Sequence, residues 1–488
     1  MLSRLIPDAL CPNDIFFIMR NKRFTYLLLA FVAAVSAFGA KTVECRPGEL
    51  CKLVGPESWT VDGLTLTGSA DASDLFFIGD RMSALERLDM SELAITAYAG
   101  KPLRGSASYP AAAIPAGTFA GTRLREVLLP SGLDLGEMAF GNTRLVSIVL
   151  PEGTRRVGLG AFAGCTGLER ASLCGAALYD GHTFSGCRFL RHVSLNGLSN
   201  IAEAMFKDCQ SLVEVDGDAL VTEIGDEAFV NCSRLRGFSF GKALRRIGRK
   251  AFLYSGLESA AMGNAAVDSI GAMAFMDCFG LRSVELPAQC TAVPDYAFAN
   301  SGITGLLELP GVEQLGRYCL AGDVSVSSVK LPETMTILGD GAMAHMSRLE
   351  NIFAGSLNSV PALGDDVFEG IDRPAVRLYA AAGMEEAFRE ADVWRDFEIL
   401  TATENGMDTT PVPESRLRGR IESGNLVLAA VGADIVRVDV YNAAGLPVAS
   451  CVPEAESCCI NLEGVAPGVV LVAATLSDGT SYSLKFVI

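Results

Sequence analysis

Thiols and imidazoles are the side chains of this sequence with the widest chemical repertoire. Fourteen cysteines but only three histidines, His182, His192 and His345, occur among 488 residues. A cysteine beside an imidazole can act as the nucleophile of a hydrolase, and Cys/His sets can hold a metal. Metal-binding cysteines, however, come in close pairs such as Cys-x-x-Cys. Cys165, Cys187, Cys209, Cys232 and Cys278 instead stand one to an interval, with no neighbouring histidine and no nucleophile motif around them. This spacing favours buried free thiols serving as compact hydrophobes, with disulfides or metal ligation as the alternative in an oxidising compartment. No catalytic residue, metal site or cofactor is expected. Cys45 and Cys51 are a possible disulfide, a small clip on the first turn of the chain, while the vicinal Cys458-Cys459 has no evident role.

The elements that position these cysteines are repeats. Each of the five follows a phenylalanine by three residues, and the aromatic itself recurs as Phe119, Phe140, Phe162, Phe184, Phe206, Phe229, Phe252, Phe275 and Phe298, then as Leu320, Met343 and Phe368, at intervals of 21 to 25 residues. So constant a period means that each unit makes one turn of a solenoid and buries its apolar side chains against the turns before and after it. Leu190-Arg191-His192-Val193-Ser194-Leu195 and Leu281-Arg282-Ser283-Val284-Glu285-Leu286 alternate apolar with polar residues, as half-buried strands do. Pro130, Pro151, Pro287, Pro310 and Pro332 end such strands, since proline cannot donate to a ladder. Successive strands are expected to form one parallel sheet. Where Cys is present the next Leu comes six residues after Phe; in the Phe119, Phe140 and Phe252 units Leu124, Leu145 and Leu257 come after five, so the turn is one residue shorter. The thiol is therefore expected to fill a gap that the longer turn creates.

These units resemble the BspA-like subclass of leucine-rich repeat, in which an aliphatic residue leads to Ala-Phe-x-x-Cys-x-x-Leu-x-x-Val-x-Leu-Pro; Ile224-Gly225-Asp226-Glu227-Ala228-Phe229-Val230-Asn231-Cys232-Ser233-Arg234-Leu235 is a close match. Leu320 and Met343 depart from it, as does the irregular turn at Asp323. The resemblance covers about residues 60 to 400 and implies a leucine-rich repeat solenoid, with one short parallel β-strand per 22–23-residue coil. It also implies a secreted or cell-surface protein that binds a host matrix protein or surface glycan, without a shared catalytic residue. The other readings kept open are a structural component of a surface layer or biofilm and, more weakly, a cysteine hydrolase.

Beyond a polar linker, Asn425–Leu428, Ile435–Tyr441, Val469–Val472 and Ser483–Ile488 alternate as strands, which suggests a small C-terminal β-sandwich. The segment resembles the type A sorting domain of the type IX secretion system at Val440-Tyr441-Asn442-Ala443-Ala444-Gly445, Gly468-Val469-Val470-Leu471-Val472 and Lys485, with Val470 where that family has Tyr. The resemblance implies the type IX secretion machinery as a partner and display at the outer-membrane surface; a generic Ig-like module is the alternative.

The basic stretch Met19 to Arg23, the apolar run Phe24 to Phe38 and the small residues Gly39 and Ala40 read as a secretory signal peptide, too short for a bilayer span. A true start at Met19 would leave residues 1–18 untranslated. No other stretch is long and apolar enough to span a membrane. The expected organisation is thus a signal region at 1–40, an N-terminal cap at 41–100, the repeats at 101–380, a helical cap at 381–400, a linker at 401–415 and the β-sandwich at 416–488. Forty Lys and Arg against 57 Asp and Glu leave a charge of −17, the wrong sign for nucleic acid or an anionic lipid surface.

In each strand the residue between the inward Val and Leu faces away from the core. That row reads Ser172, Ser194, Asp216, Ser239, Ala261, Glu285, Glu308 and Lys330, flanked by Arg170, His192, Glu214, Ser259 and Ser283. It is the expected binding platform, a solvated face without a partner being the alternative.

Overall fold

The computed structural model describes residues 41–402 except 288, and 417–487 except for short stretches at 423–424, 431–433, 443–446, 454, 456, 463–468 and 478–480. The expected signal peptide and nearly all of the expected linker lie outside the described residues. Two units are distinct, one up to Gly406 and one from Met407.

In the first unit the repeat phenylalanines dictate the architecture. Phe119, Phe140, Phe162, Phe184, Phe206, Phe229, Phe252, Phe275 and Phe298 are all fully buried and stack ring on ring, with centroids 5.1–5.8 Å apart and planes within 22°, a favourable stacked geometry. Backbone hydrogen bonds fix the same spacing, because the Phe140 N–H donates to the Ala161 carbonyl and the Phe206 N–H to the Ala228 carbonyl, one coil further on. The turns on either side of the ring use left-handed backbone.

Nearly every coil carries the expected front strand. Parallel pairing sets Arg170 beside His192 and His192 beside Glu214, and likewise Ser172 beside Ser194 and Ser194 beside Asp216. Each coil also carries a second, rear strand of two residues, such as Asn200–Ile201, Glu223–Ile224, Arg246–Ile247 and Ser269–Ile270, in its own parallel ladder. The expected front strand is thus joined by a short rear one. Behind the rear strand the coils approach so closely that a Cβ on Gly248 would lie 2.5 Å from the Asp226 nitrogen.

The ladders are interrupted. In the Phe229 coil no front strand forms, although Ser239 was placed in the strand row: Phe238 and Phe240 fill the inward positions and pack edge-on against Phe229 and Phe252. The Ser239 N–H donates instead to the Asp218 carboxylate at 2.6 Å. Between the Phe275 and Phe298 coils both ladders lapse together, since the front strand Ser283–Glu285 does not pair with Gly305–Glu308, nor the rear strand Ser269–Ile270 with Ala292–Val293. Those two coils are joined by the stacked rings, 5.2 Å apart, and by turn bonds such as Phe275 N–H to the Ala297 carbonyl at 2.8 Å.

The ends are closed by polar devices. At the start, strands Lys41–Cys45, Gly63–Ala70 and Arg87–Ile95 extend the parallel sheet. Helix α1 (Leu50–Val54) is tied to helix α2 (Ala72–Arg81) by the buried Asp74, whose carboxylate accepts from the Gly48, Leu50 and Asp71 N–H groups. The expected Cys45–Cys51 bridge is not made: both are free thiols, Cys45 buried on its strand with its Sγ–H donating to the Arg46 carbonyl and Cys51 exposed on α1. At the far end the expected helical lid is α3 (Glu385–Glu390), with Phe388, Trp394 and Phe397 buried over Phe368. The parallel sheet continues past it through Arg377–Ala380 and Glu398–Thr401.

The second unit consists of two antiparallel sheets. One holds Leu417–Glu422, Asn425–Ala430 and Ser457–Asn461; the other holds Pro447–Cys451, Ile435–Asn442, Val469–Leu476 and Ser481–Val487. Leu426, Leu428, Val438, Val440 and Val472 form their shared core, as a sandwich requires.

Candidate binding face

The column of side chains three residues after the ring is a hydrogen-bonded seam. The Sγ–H groups of Cys165, Cys187, Cys209, Cys232 and Cys278 donate to the carbonyls of Phe140, Phe162, Phe184, Phe206 and Phe252, at 3.1–3.3 Å. The cysteines are buried as expected, but they do more than fill a gap. Thr143 and Ser255 occupy the same place and bond the thiols of Cys165 and Cys278. Burial pushes the thiols of Cys187, Cys209 and Cys232 well up and that of Cys278 to about 11, the reverse of what a nucleophilic thiolate needs. The column ends at Asp323, fully buried, with Oδ1 accepting from Ser301 Oγ at 2.7 Å and Oδ2 lacking a partner. Burial raises its carboxyl to about 8. Of the histidines, His192 lies on the front face, His182 takes left-handed backbone in a turn, and His345 is exposed 3.8 Å from Glu369. Among the described residues no group of three or more His, Cys, Asp or Glu side chains could hold a metal.

On the front face Asp216, Ser239, Ala261, Glu285, Glu308, Lys330, Arg170, Glu214, Ser259 and Ser283 are exposed, and Ser194 and His192 half-buried. Ser172 is a correction to the expected platform: Asn196 folds over it, donating from Nδ2 to Ser172 Oγ at 2.9 Å and to the Leu173 carbonyl at 2.8 Å, and leaves it buried. The parallel register sets carboxylates beside nitrogen-bearing side chains, so His192 Nδ1 meets Glu214 Oε2 at 3.0 Å and Lys330 Nζ meets Glu308 Oε1 at 2.9 Å. Such exposed cross-strand pairs contribute little to stability. The row as a whole carries four carboxylates, Glu214, Asp216, Glu285 and Glu308, against Arg170 and Lys330.

One depression interrupts the relief. The Phe252 coil has the short turn, and the longer turns of the Phe229 and Phe275 coils stand on either side of it. Between them lies a cavity of about 630 Å³ whose walls include Arg236, Tyr254, Glu258, Asp277, Phe279 and Arg282. The short turn is visible in the sequence, whereas the depression it leaves depends on the lengths of both neighbours.

Comparison with known proteins bears on these coils. The sequence pattern of the BspA-type leucine-rich repeat region matches at residues 112–236, 180–266 and 245–373, more than half of the chain. The chain belongs to the BspA-type leucine-rich repeat family. Among solved structures, a leucine-rich repeat protein of Bacteroides ovatus is similar to this BspA-type protein in fold, with 23% identity, 69% of this chain and 84% of that one covered, and a TM-score of 0.51. A leucine-rich cell surface protein of Faecalibacterium prausnitzii aligns at 20% identity over 51% of this chain and 85% of that one, with a TM-score of 0.29. The pneumococcal vaccine antigen PcpA aligns at 13% identity over 74% and 83%, with a TM-score of 0.38. No curated protein matches the chain. Among the described residues of this BspA-type protein, no helix is long and apolar enough to cross a membrane.

Proposed function

We propose that this protein is a secreted, surface-displayed interaction protein that binds a host matrix protein or surface glycan and carries out no catalysis. The observation that carries the reading is the front face, where successive coils present exposed small and charged side chains, the kind of surface with which solenoids hold macromolecules. The raised thiol pKa values of Cys187, Cys209, Cys232 and Cys278 speak against the hydrolase alternative, and Cys165, whose thiol is lowered by its hydrogen bond with Cys187, is itself fully buried. A role as a structural component of a surface layer remains the second reading, and self-association without a ligand would mark it. The C-terminal unit is proposed to be a type IX sorting domain that delivers the chain to the outer-membrane surface; its two antiparallel sheets suit that reading, and deletion of residues 416–488 is expected to leave the protein in the periplasm.

Surface plasmon resonance against immobilised matrix proteins, mucin and glycans tests the binding role. Lysine at Glu214, Asp216, Glu285 and Glu308 together is expected to abolish capture of the partner. If that variant binds every partner as the unaltered protein does, the front face is not the binding surface.

A further inference from the structure

Four observations characterise the depression in front of the Phe252 coil. Its floor is Ser255-Gly256, and Gly256 is so close to the preceding coil that a Cβ there would lie 2.3 Å from the Ser233 carbonyl oxygen. Its volume of about 630 Å³ falls within the range of about 300–1,000 Å³ usual for small-ligand sites. Tyr254 holds a left-handed φ of 57° at a position where neighbouring coils place Gly186, Asp208, Asn231, Asp277 and Asn300, and a bulky side chain there stores backbone strain. Phe279 follows its cysteine where other coils put Thr166, Arg188, Gln210 and Ser233, yet it is 64% exposed. Two aromatic rings are thus held at the mouth of one cavity, in contexts that local stability disfavours.

The polar groups around them narrow the ligand. Arg236 and Arg282 balance Glu258 and Asp277, so the site selects for no net charge. The Arg236 guanidinium is 3.5 Å from Glu258, too far for a good hydrogen bond, so both planar groups keep capacity for a ligand. Asp277 accepts from Asn300 Nδ2 at 3.0 Å and lies beside the Tyr254 hydroxyl, whose pKa it raises, keeping the phenol a donor. Planar guanidinium and carboxylate groups pair with adjacent hydroxyls, and aromatic faces suit the apolar C–H face of a sugar ring.

We propose that this cavity is a carbohydrate site, which holds a neutral pyranose unit against Tyr254 and Phe279 while Arg236, Glu258 and Arg282 bond its hydroxyls. The proposal rests on the interaction role above and names a ligand class for it. Saturation-transfer difference NMR on the full chain, with maltohexaose, cellohexaose and a desialylated N-linked glycopeptide as probes, tests it and separates free polysaccharide from protein-linked glycan as the source. Transfer to at least one probe is expected, weakened tenfold or more by Phe279→Ala and by Tyr254→Asn, the latter residue being at home in left-handed backbone. Phe189→Ala, at an exposed ring elsewhere on the surface, is expected to change nothing. Absence of transfer to all three probes, or transfer undiminished in both cavity variants, overturns the proposal, as does transfer only to the peptide part of the glycopeptide. Capture of matrix proteins that survives both cavity substitutions, alongside absent sugar binding, overturns the carbohydrate site and leaves the interaction role standing; sugar transfer without capture of any macromolecule does the opposite for the matrix-protein reading.

Discussion

The thiol of Cys209 donates to the carbonyl oxygen of Phe184 in the preceding coil, across 3.3 Å of fully buried space. Loss of that bond is separable from loss of volume. Cys209→Ala is expected to cost about 1–2 kcal/mol, a buried hydrogen bond plus a small cavity. Cys209→Ser keeps a donor that Ser255 and Ser301 already use at this place, and is expected to cost under about 1 kcal/mol. Urea unfolding followed by circular dichroism gives both values; equal losses would mean that the thiol acts by volume alone.

The ring column sets a second expectation. Phe206 lies between Phe184 and Phe229 at 5.8 and 5.4 Å, so Phe206→Ala should destabilise by about 3–5 kcal/mol. Phe206→Leu should cost markedly less, because Leu320 fills the same place in its own coil and is buried there. Thermal melts of the two variants rank them; a reversed order would remove the stacked column as the organising core.

Stability is expected to fall as pH rises from about 4 to about 8 through Asp323. Its folded pKa of about 8 stands above the ordinary carboxyl value of 3.8, so in that window the native state holds a proton that the unfolded chain has released. The contribution is whole below the unfolded pKa and is lost as pH climbs through the folded one. Asp323→Asn removes the linkage, and the melting temperature of the variant minus that of the unaltered protein should therefore grow between pH 5 and pH 8. A constant difference would show that Asp323 is not the titrating group.

Two glycines give a matched comparison. A Cβ on Gly248 would strike the Asp226 nitrogen at 2.5 Å, whereas one on Gly237 would meet nothing within 4 Å. Gly248→Ala is expected to destabilise by roughly 1–3 kcal/mol through overpacking, and Gly237→Ala to be neutral or slightly stabilising. Differential scanning calorimetry of the pair checks the close approach of rear strands.

The period of Phe119 to Phe298 was legible because every coil repeats the same inward ring, and the front strands because Val193 and Leu195 alternate with polar neighbours. The rear strands escaped notice, since each offers a single inward aliphatic residue, such as Ile224 or Ile247, over two residues. Burial of the cysteines could be read from their spacing; their acceptors could not, because the carbonyls belong to another coil. Ser172 was misplaced for a similar reason, since Asn196, which covers it, comes from the following coil. The cavity beside Tyr254 emerges from the unequal lengths of three consecutive turns, a property that no single unit contains.

The boundary between the Phe275 and Phe298 coils, bridged by rings and turn bonds but by neither ladder, sets where the solenoid yields under load. Tension along the axis would be resisted at the other boundaries between these coils by at least one ladder of parallel bonds beside the turn bonds, and here by the turn bonds alone. Optical-tweezer extension should therefore show a first, low-force rip that releases either side as a separate block, so the protein would lengthen stepwise under drag before any other coil gave way.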